Sequence, residues 1–324
     1  MERAITASPD QLLERIDFNA HANPLWNVCL RQKLTSPTAS KGIWMTDHVT
    51  DIQSVSHIDT SKLGRARMSL FSRNPSEAET RETALELATT AVKHVFMNQS
   101  ETTDNSPPTA IVTFGAVDRR IRETLKSAFE EKYKIEAPWD NPCGMWMLES
   151  GLDHDPGANN AKVDLPGNVI LRSLRADDAE FINSRWEYRS EDSICMVHDM
   201  IAVAESTYGG CIGMEIDGQL VAWVCRYLDG TLGMLWTEEK HRRKGYGIHA
   251  LTAAVKSLRE RHEERTKKSN VGNRKNTMPP LIAFTVDGNN SSKGLLSKIG
   301  WKRVADADWT GFKLARQSSS DLQT

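Results

Sequence analysis

The sequence predicts an α+β chain in two halves, the second built on a mixed, mostly antiparallel sheet flanked by helices. Three observations carry this. Residues 211–237 alternate short apolar runs with two Asp-Gly turns; an amphipathic-helix pattern and a buried-strand pattern follow at 248–258 and 281–286; and a polar stretch bearing glycine and proline separates this half from an earlier alternation of helices and strands. The expected organisation is an α/β domain over 1–150, a linker over 151–167, a second domain over 168–316 and a disordered tail over 317–324. A chain of 324 residues, 39% of them hydrophobic, is long enough for two cores.

In the first half, helical segments are expected at 11–19 and 25–34 and strands at 43–45, 55–58 and 66–71. Ser76 and Glu79 form a capping box, after which Leu85, Ala88, Val92, Val95 and Phe96 recur on one helix face. Beyond a loop at 99–108, a short buried strand at 110–114 leads to Asp118 as an N-cap, and Ile121, Leu125, Ala128 and Phe129 line the next helix. A strand at 139–148 closes this half.

The second half opens with a strand at 169–174 and helices at 176–186 and 193–205. The meander is 211–216, the turn Asp217-Gly218, 219–227, the turn Asp229-Gly230, and 231–237; Asp-Gly pairs suit tight hairpins because both central residues of such turns take positive φ. Ile248, Leu251, Ala254, Val255 and Leu258 mark one face of a helix. Residues 259–280 are almost wholly polar and read as a solvated insertion stopped by Pro279-Pro280. After the strand at 281–286, a last helix follows the cluster at 289–292 and buries Leu295, Leu296 and Ile299. It ends at Gly300 with Trp301 beyond, as a Schellman cap requires. Two closing strands are expected at 301–304 and 311–314.

Composition narrows the function classes. A formal net charge of -2 supplies no overall basic field for nucleic acid or anionic lipid. Eight Lys/Arg residues lie within 256–275, but Glu260, Glu263 and Glu264 dilute them and no aromatic residue interleaves them, so no nucleic-acid partner is expected. There is no run of about 20 apolar residues, and Met1-Glu2-Arg3 with Asp10 and Glu14 has no signal core; the expectation is a cytoplasmic protein with no membrane partner. The five cysteines form no CxxC pair and read as reduced core residues. Cys195 and His198 stand three apart but lack a second pair to complete a metal site, so no metal is expected.

The chemistry centres on a strand, then Arg242-x-x-Gly245-x-Gly247, then a helix. Unpaired N–H groups at a helix start, aided by the dipole, bind phosphate oxygens, and glycines let those oxygens approach the main chain. Arg242, Arg243 and Lys244 add positive charge at the rim, while the dinucleotide motif GxGxxG and the P-loop GxxxxGK[ST] are both absent.

On these residues the second half resembles the GNAT superfamily of acyltransferases, whose signature is [Arg/Gln]-x-x-Gly-x-[Gly/Ala] after a fourth strand, then a fifth strand and an Asn-started helix closing with Gly-aromatic. Arg242, Gly245, Gly247, Asn289 and Gly300-Trp301 occur in that order. Trp186-Glu187-Tyr188, Leu220-Val221-Ala222-Trp223, Thr237 and His241-Arg242 are similar to the glycine N-acyltransferase group, whose members carry a degenerate GNAT-like N-terminal half of about this length. The resemblance implies a GNAT fold preceded by such a half. It also implies an acyl-CoA or acetyl-CoA co-substrate held by Leu235, Trp236, Thr237, Arg242, Arg243, Lys244, Gly245, Tyr246, Gly247 and Asn289, and direct transfer of the acyl group to a small-molecule amine. An oxyanion donor would come from backbone N–H groups near 235–237, where the fourth and fifth strands splay. Two positions depart from the pattern. Leu296 stands where many members place a general-acid Tyr, and Thr231 where the glycine acyltransferases have a candidate base. Glu238 or Glu239 is then the nearest base, with Glu238 preferred, and Ser292 or Ser297 a proton relay. Arg185 or Arg189 could hold an acceptor carboxylate beside Trp186 and Tyr188. The acceptor expected is an amino acid; the alternatives are a protein or peptide amine and a CoA-binding protein without catalysis, as a monomer or homodimer.

Overall fold

The computed structural model describes residues 5–18, 23–36, 39–40, 42–47, 51–62, 65–74, 77–97, 109–132, 134–135, 139–149, 165–189, 193–268 and 278–315. Its contacts divide the chain into two units, Met1–Met145 with Val304–Thr324, and Trp146–Arg303. The expected border at 151–167 thus falls a few residues after the division between the units, and the residues from 304 onward group with the first.

The first unit runs β1 (Ile5–Ala7), α1 (Pro9–Arg15), a π-helical turn Leu25–Leu30 continuing into α2 (Arg31–Leu34), β2 (Ile43–Thr46), β3 (Ser54–Lys62), β4 (Arg65–Ser72), α3 (Ala78–Met97), β5 (Thr109–Asp118), α4 (Arg119–Lys132), β6 (Lys134–Ile135) and β7 (Trp139–Asn141). β8 (Cys143–Leu148) begins in this unit and ends in the other. Strands β1 to β4 pair antiparallel in sequence, and β5 joins β4 in parallel over four residue pairs, Arg65 with Ile111 through Met68 with Phe114. Asp118 caps α4, accepting from Arg120 N–H at 3.0 Å, and Ile121, Leu125 and Phe129 enter the core beside Phe114 and Phe312. Ala84, Leu87, Ala88 and Val92 are the buried face of α3; Leu85 is only partly buried, while Ser76 and the side chains of Glu79, Val95 and Phe96 lie outside the described residues, as does the loop 99–108.

The second unit runs β9 (Val169–Ser173), a 3-10 turn Ala176–Asp178, α5 (Ala179–Arg185), α6 (Ser193–Val203), β10 (Ile212–Ile216), β11 (Gln219–Arg226), β12 (Leu232–Thr237), α7 (Tyr246–Lys268), β13 (Leu281–Val286) and α8 (Asn290–Lys298). Strands β9 to β12 pair antiparallel and β13 follows β12 in parallel. This is the element order of the first unit repeated. Two apolar clusters cover the sheet. One joins Met214, Val221 and Val224 to α7 and α8 through Leu251, Val255 and Leu296; the other joins Trp223 and Cys225 to α5 and α6 through Ile182, Val197 and Met200.

The two Asp-Gly turns differ. Asp217 and Gly218 both take positive φ, 51° and 79°, as the tight turn demands. In the second, only Gly230 does (φ 93°), and Tyr227 N–H donates to Thr231 O at 2.8 Å; this is a longer loop in which Asp229 accepts from the Thr231 N–H and hydroxyl. Three further expectations are corrected. Helix α7 continues through the charged run to Lys268, since Glu, Lys and Arg are good helix formers and the pairs Lys256–Glu260 and Arg261–Glu264 lie along it. The two closing strands are one strand, β14 (Lys302–Ala315), which absorbs its irregularity as a bulge between Asp308 and Thr310 and pairs with β5, β6 and β7. Cys195 is exposed, because α6 turns Val197, Met200 and Ile201 inward; the other four cysteines are buried and none of the five is in a disulfide.

Candidate active site

The site begins with a break in the sheet. Among the described residues, β12 and β13 pair at Leu232 with Ala283 alone, and past that point they part. Met234, at φ 48°, places an extra residue in β12 against β11, so the register shifts between Trp223 and Cys225. Beyond the bulge, Glu238 N–H donates to Val221 O at 2.8 Å. By antiparallel alternation, the Trp236 backbone then faces β11, while the N–H groups of Leu235 and Thr237 face the side from which β13 has withdrawn.

The loop after β12 is shaped for an anion. A 3-10 turn Glu239–His241 leads into Arg242; Arg243 and Gly245 take positive φ, 61° and 84°, and α7 begins at Tyr246. Left-handed residues spaced this way curl successive N–H groups toward one side, and a left-handed Arg is strain of about 1–2 kcal/mol, of the kind kept at functional sites. Among the described residues, the N–H groups of Arg243 through Gly247 have no acceptor. A Cβ on Gly247 would meet Leu295 Cδ1 at 3.1 Å and Thr237 Oγ1 at 3.3 Å, so this glycine keeps the start of α7 close to the end of β12 and to α8. Arg242 folds back, its Nε donating to Thr237 O at 3.1 Å and its guanidinium lying 5.1 Å from the Trp236 ring centroid. Arg243 and Lys244 are exposed.

Asn289 caps α8, accepting from Ser292 N–H at 3.0 Å, and Gly300 at φ 88° closes that helix. Gly300 N–H to Ser297 O and Trp301 N–H to Leu296 O are the two bonds of a Schellman cap. Leu296 itself is buried in the core, and Ser297 is exposed on another face. Thr231 is held in the turn by Asp229. Neither position offers a proton-transfer group facing the opening.

The carboxylate of Glu238 is engaged. Arg185 Nε reaches Oε1 at 2.9 Å and its second nitrogen reaches Oε2 at 3.4 Å, while Trp236 Nε1 donates to Oε1 at 3.0 Å. Trp236 stacks on Trp223 at 6.3 Å, which meets Phe181 edge-on, and Arg185 lies over Phe181 at 5.1 Å. Trp186 and Tyr188 make an edge-to-face pair at 6.4 Å just past α5, with Tyr188 exposed; Arg189 turns back to the Trp186 carbonyl. Of the two candidate arginines, Arg185 is the one joined to the end of β12. Sequence reasoning had no sign of this fork, because its partners are 53 residues apart. His241, marked in the sequence only by its family likeness, has an Nδ1 buried without a hydrogen-bond partner among the described residues, and its basicity is lowered by burial and by Lys244 and Lys240, against an opposing effect of Glu238. No group of three or more potential metal ligands occurs among the described residues. No helix among them is long and apolar enough to cross a membrane.

Residues 208–278, which hold β10 to β12, the loop and α7, match the family model described as FR47-like protein. Three solved structures align along nearly the whole chain. A Drosophila protein does so with a TM-score of 0.66 and 17% identity, over 96% of this chain and 99% of its own. A GCN5-related N-acetyltransferase from Sphaerobacter thermophilus gives 0.56 and 10%, over 98% and 97%. A tandem GNAT protein from the clavulanic acid biosynthesis pathway, described as without acetyl-CoA, gives 0.55 and 13%, over 95% and 98%. The chain has the GNAT fold. No curated protein matches the sequence. Set on the GNAT fold, β12 and β13 are the fourth and fifth strands of the second unit, and 242–247 is the turn between the fourth strand and its helix. In the first unit the sequence between β4 and α3, Arg73-Asn74-Pro75-Ser76-Glu77, has no glycine.

Proposed function

We propose that the protein is an acyl-CoA-dependent N-acyltransferase that moves an acetyl or longer acyl group onto the amine of a small acceptor, an amino acid such as glycine being the preferred class. The observation that carries this reading is the parting of β12 from β13 directly beside a helix start whose N–H groups are unclaimed. The residues fit the substrate: the N–H groups of Arg243 to Gly247 suit a pyrophosphate, with Arg242, Arg243 and Lys244 supplying charge, and Leu235, Trp236 and Thr237 along the parted edge suit the pantetheine arm and thioester. Leu235 and Thr237 N–H are the donors we assign to the developing oxyanion. Asn289 lies at the start of α8, on the other lip. Trp186 and Tyr188 form an apolar wall for the acceptor.

The likeness of 186–188, 220–223 and 241–242 to the glycine N-acyltransferase group supports an amino acid acceptor. We assign binding to the second unit alone, since the first lacks the glycine turn and keeps β4 and β5 paired over four residue pairs. A cytoplasmic monomer or homodimer completes the proposal. A second reading, CoA binding without catalysis, is favoured by one observation: Leu296 is core and Thr231 is spent on its turn. The deciding experiment is release of free thiol from acetyl-CoA with amino acids, with peptides and with no acceptor. Release driven by amino acids supports transfer to small amines, release with peptides alone moves the acceptor class to proteins, and binding without release selects the non-catalytic reading.

A further inference from the structure

The carboxylate that a small amine acceptor would bring already has a counterpart within the fold. Glu238 sits at the end of β12, next to the N–H groups assigned to the thioester, and its side chain is only 18% exposed. It is forked by Arg185, which is 44% exposed and reaches in from the end of α5. Planar guanidinium and carboxylate match in two-point geometry, so Arg185 is built to hold a carboxylate of either origin. An ion pair exposed on one side is weak enough to be exchanged. Trp236 Nε1 would retain its hold on Oε1 after the exchange, and a carboxylate has lone pairs left to accept a proton.

We infer that Arg185 is the receptor for the carboxylate of an α-amino acid acceptor, and that Glu238 occupies it in the free protein and becomes the general base when the acceptor displaces it. The inference rests on the proposed acyl transfer. In the step, the acceptor nitrogen attacks the thioester carbonyl carbon, the N–C bond forms and the C–S bond breaks. The neutral nitrogen loses one proton to Glu238, and that proton passes through water to the departing thiolate, so the products are the amide and free CoA and the Glu238 carboxylate is restored. A carboxylate-bearing amine thus switches on its own base, whereas an amine without a carboxylate leaves Glu238 paired.

The test compares glycine with methylamine, which differs by the carboxylate, using acetyl-CoA and the wild type, Glu238→Gln and Arg185→Ala. In Glu238→Gln, removal of the internal competitor lowers KM for glycine several-fold while kcat falls by about a hundredfold or more. In Arg185→Ala, the preference for glycine over methylamine in kcat/KM falls at least tenfold. A Glu238→Gln enzyme whose KM for glycine is unchanged or higher, or an Arg185→Ala enzyme that keeps the preference, overturns the exchange. Thermal melts confirm folding. Glycine binding followed by NMR reads the exchange without turnover: Glu238→Gln tightens it and Arg185→Ala abolishes it. A wild type that shows this pattern but releases no thiol with any amine refutes the proposed reaction and leaves the exchange standing; equal binding in all three proteins refutes the exchange.

Discussion

Gly247→Ala separates ligand binding from stability at one position. A Cβ there would lie 3.1 Å from Leu295 Cδ1 and 3.3 Å from Thr237 Oγ1, both ends of side chains that must yield by a few tenths of an ångström. That strain is set against the gain of about 0.5–1 kcal/mol from replacing a helical glycine with alanine, so unfolding free energy should change by no more than about 1 kcal/mol. Binding should change far more. The methyl group and the side chains it displaces stand between the end of β12 and α8, where a pyrophosphate must reach the N–H groups of the first turn. Loss of one charge-assisted hydrogen bond, about 1.5–3 kcal/mol, weakens acetyl-CoA about ten- to a hundredfold. Gly245→Ala is the contrast: its Cβ has room, with His249 at 3.7 Å, but φ of 84° makes it a stability variant costing about 1–2 kcal/mol. Calorimetric titration with acetyl-CoA and urea unfolding of each variant are the measurements. A folded Gly247→Ala protein with wild-type affinity would refute the reasoning about the loop.

In the first unit, the buried Asp308 is paired with Arg119 at 3.0 Å and Arg122 at 3.3 Å and accepts from Cys143 N–H; Asp308→Ala removes the fully buried partner of both arginines, which keep only the more exposed Asp306, Glu123 and Asp140, and should cost about 3 kcal/mol in urea unfolding. Burial pushes the Asp178 carboxyl up, but the Arg172 fork, the Arg175 N–H and the charges of both arginines outweigh it and hold the carboxyl below the usual carboxylate range. Its contribution to stability is therefore complete above the unfolded value and lost as pH falls through the lower folded one, so the acid limb of unfolding free energy should flatten in Arg172→Met. Burial, Lys244 and Lys240 hold the His241 imidazole below the ordinary histidine value, against an opposing effect of Glu238. NMR titration should find it there in the free protein and higher once an anionic pyrophosphate offsets the lysines.

Much of the fold was legible because periodicity and turn chemistry report local structure. The meander, the face of α7 and the Schellman cap at Gly300-Trp301 are patterns within a few residues. Helix α7 ran ten residues past its last apolar marker, Leu258, because a solvated helix needs no apolar stripe once it is nucleated. The single strand β14 reads as two, since residues 305–308 alternate Ala and Asp, and Ala307 and Asp308 are turned inward only by pairing with distant strands. At the site, the glycine turn was legible because phosphate binding demands both backbone freedom and order in sequence. The bulge at Met234 was not, since nothing in Gly233-Met234-Leu235 marks positive φ. Nor was the fork from Arg185 through Glu238 to Trp236, which depends on α5 meeting the end of β12.

The most direct measurement is thermal unfolding of the full chain with CoA, acetyl-CoA and longer acyl-CoAs at up to about a millimolar. A ligand bound only by the native state adds RT ln(1 + [L]/Kd), about 2.7 kcal/mol at a hundred times Kd. A clear rise in Tm with acetyl-CoA, diminished in Gly247→Ala, is the expected result. No rise with any of these ligands would contradict an acyl-CoA site at 242–247 and the function built on it.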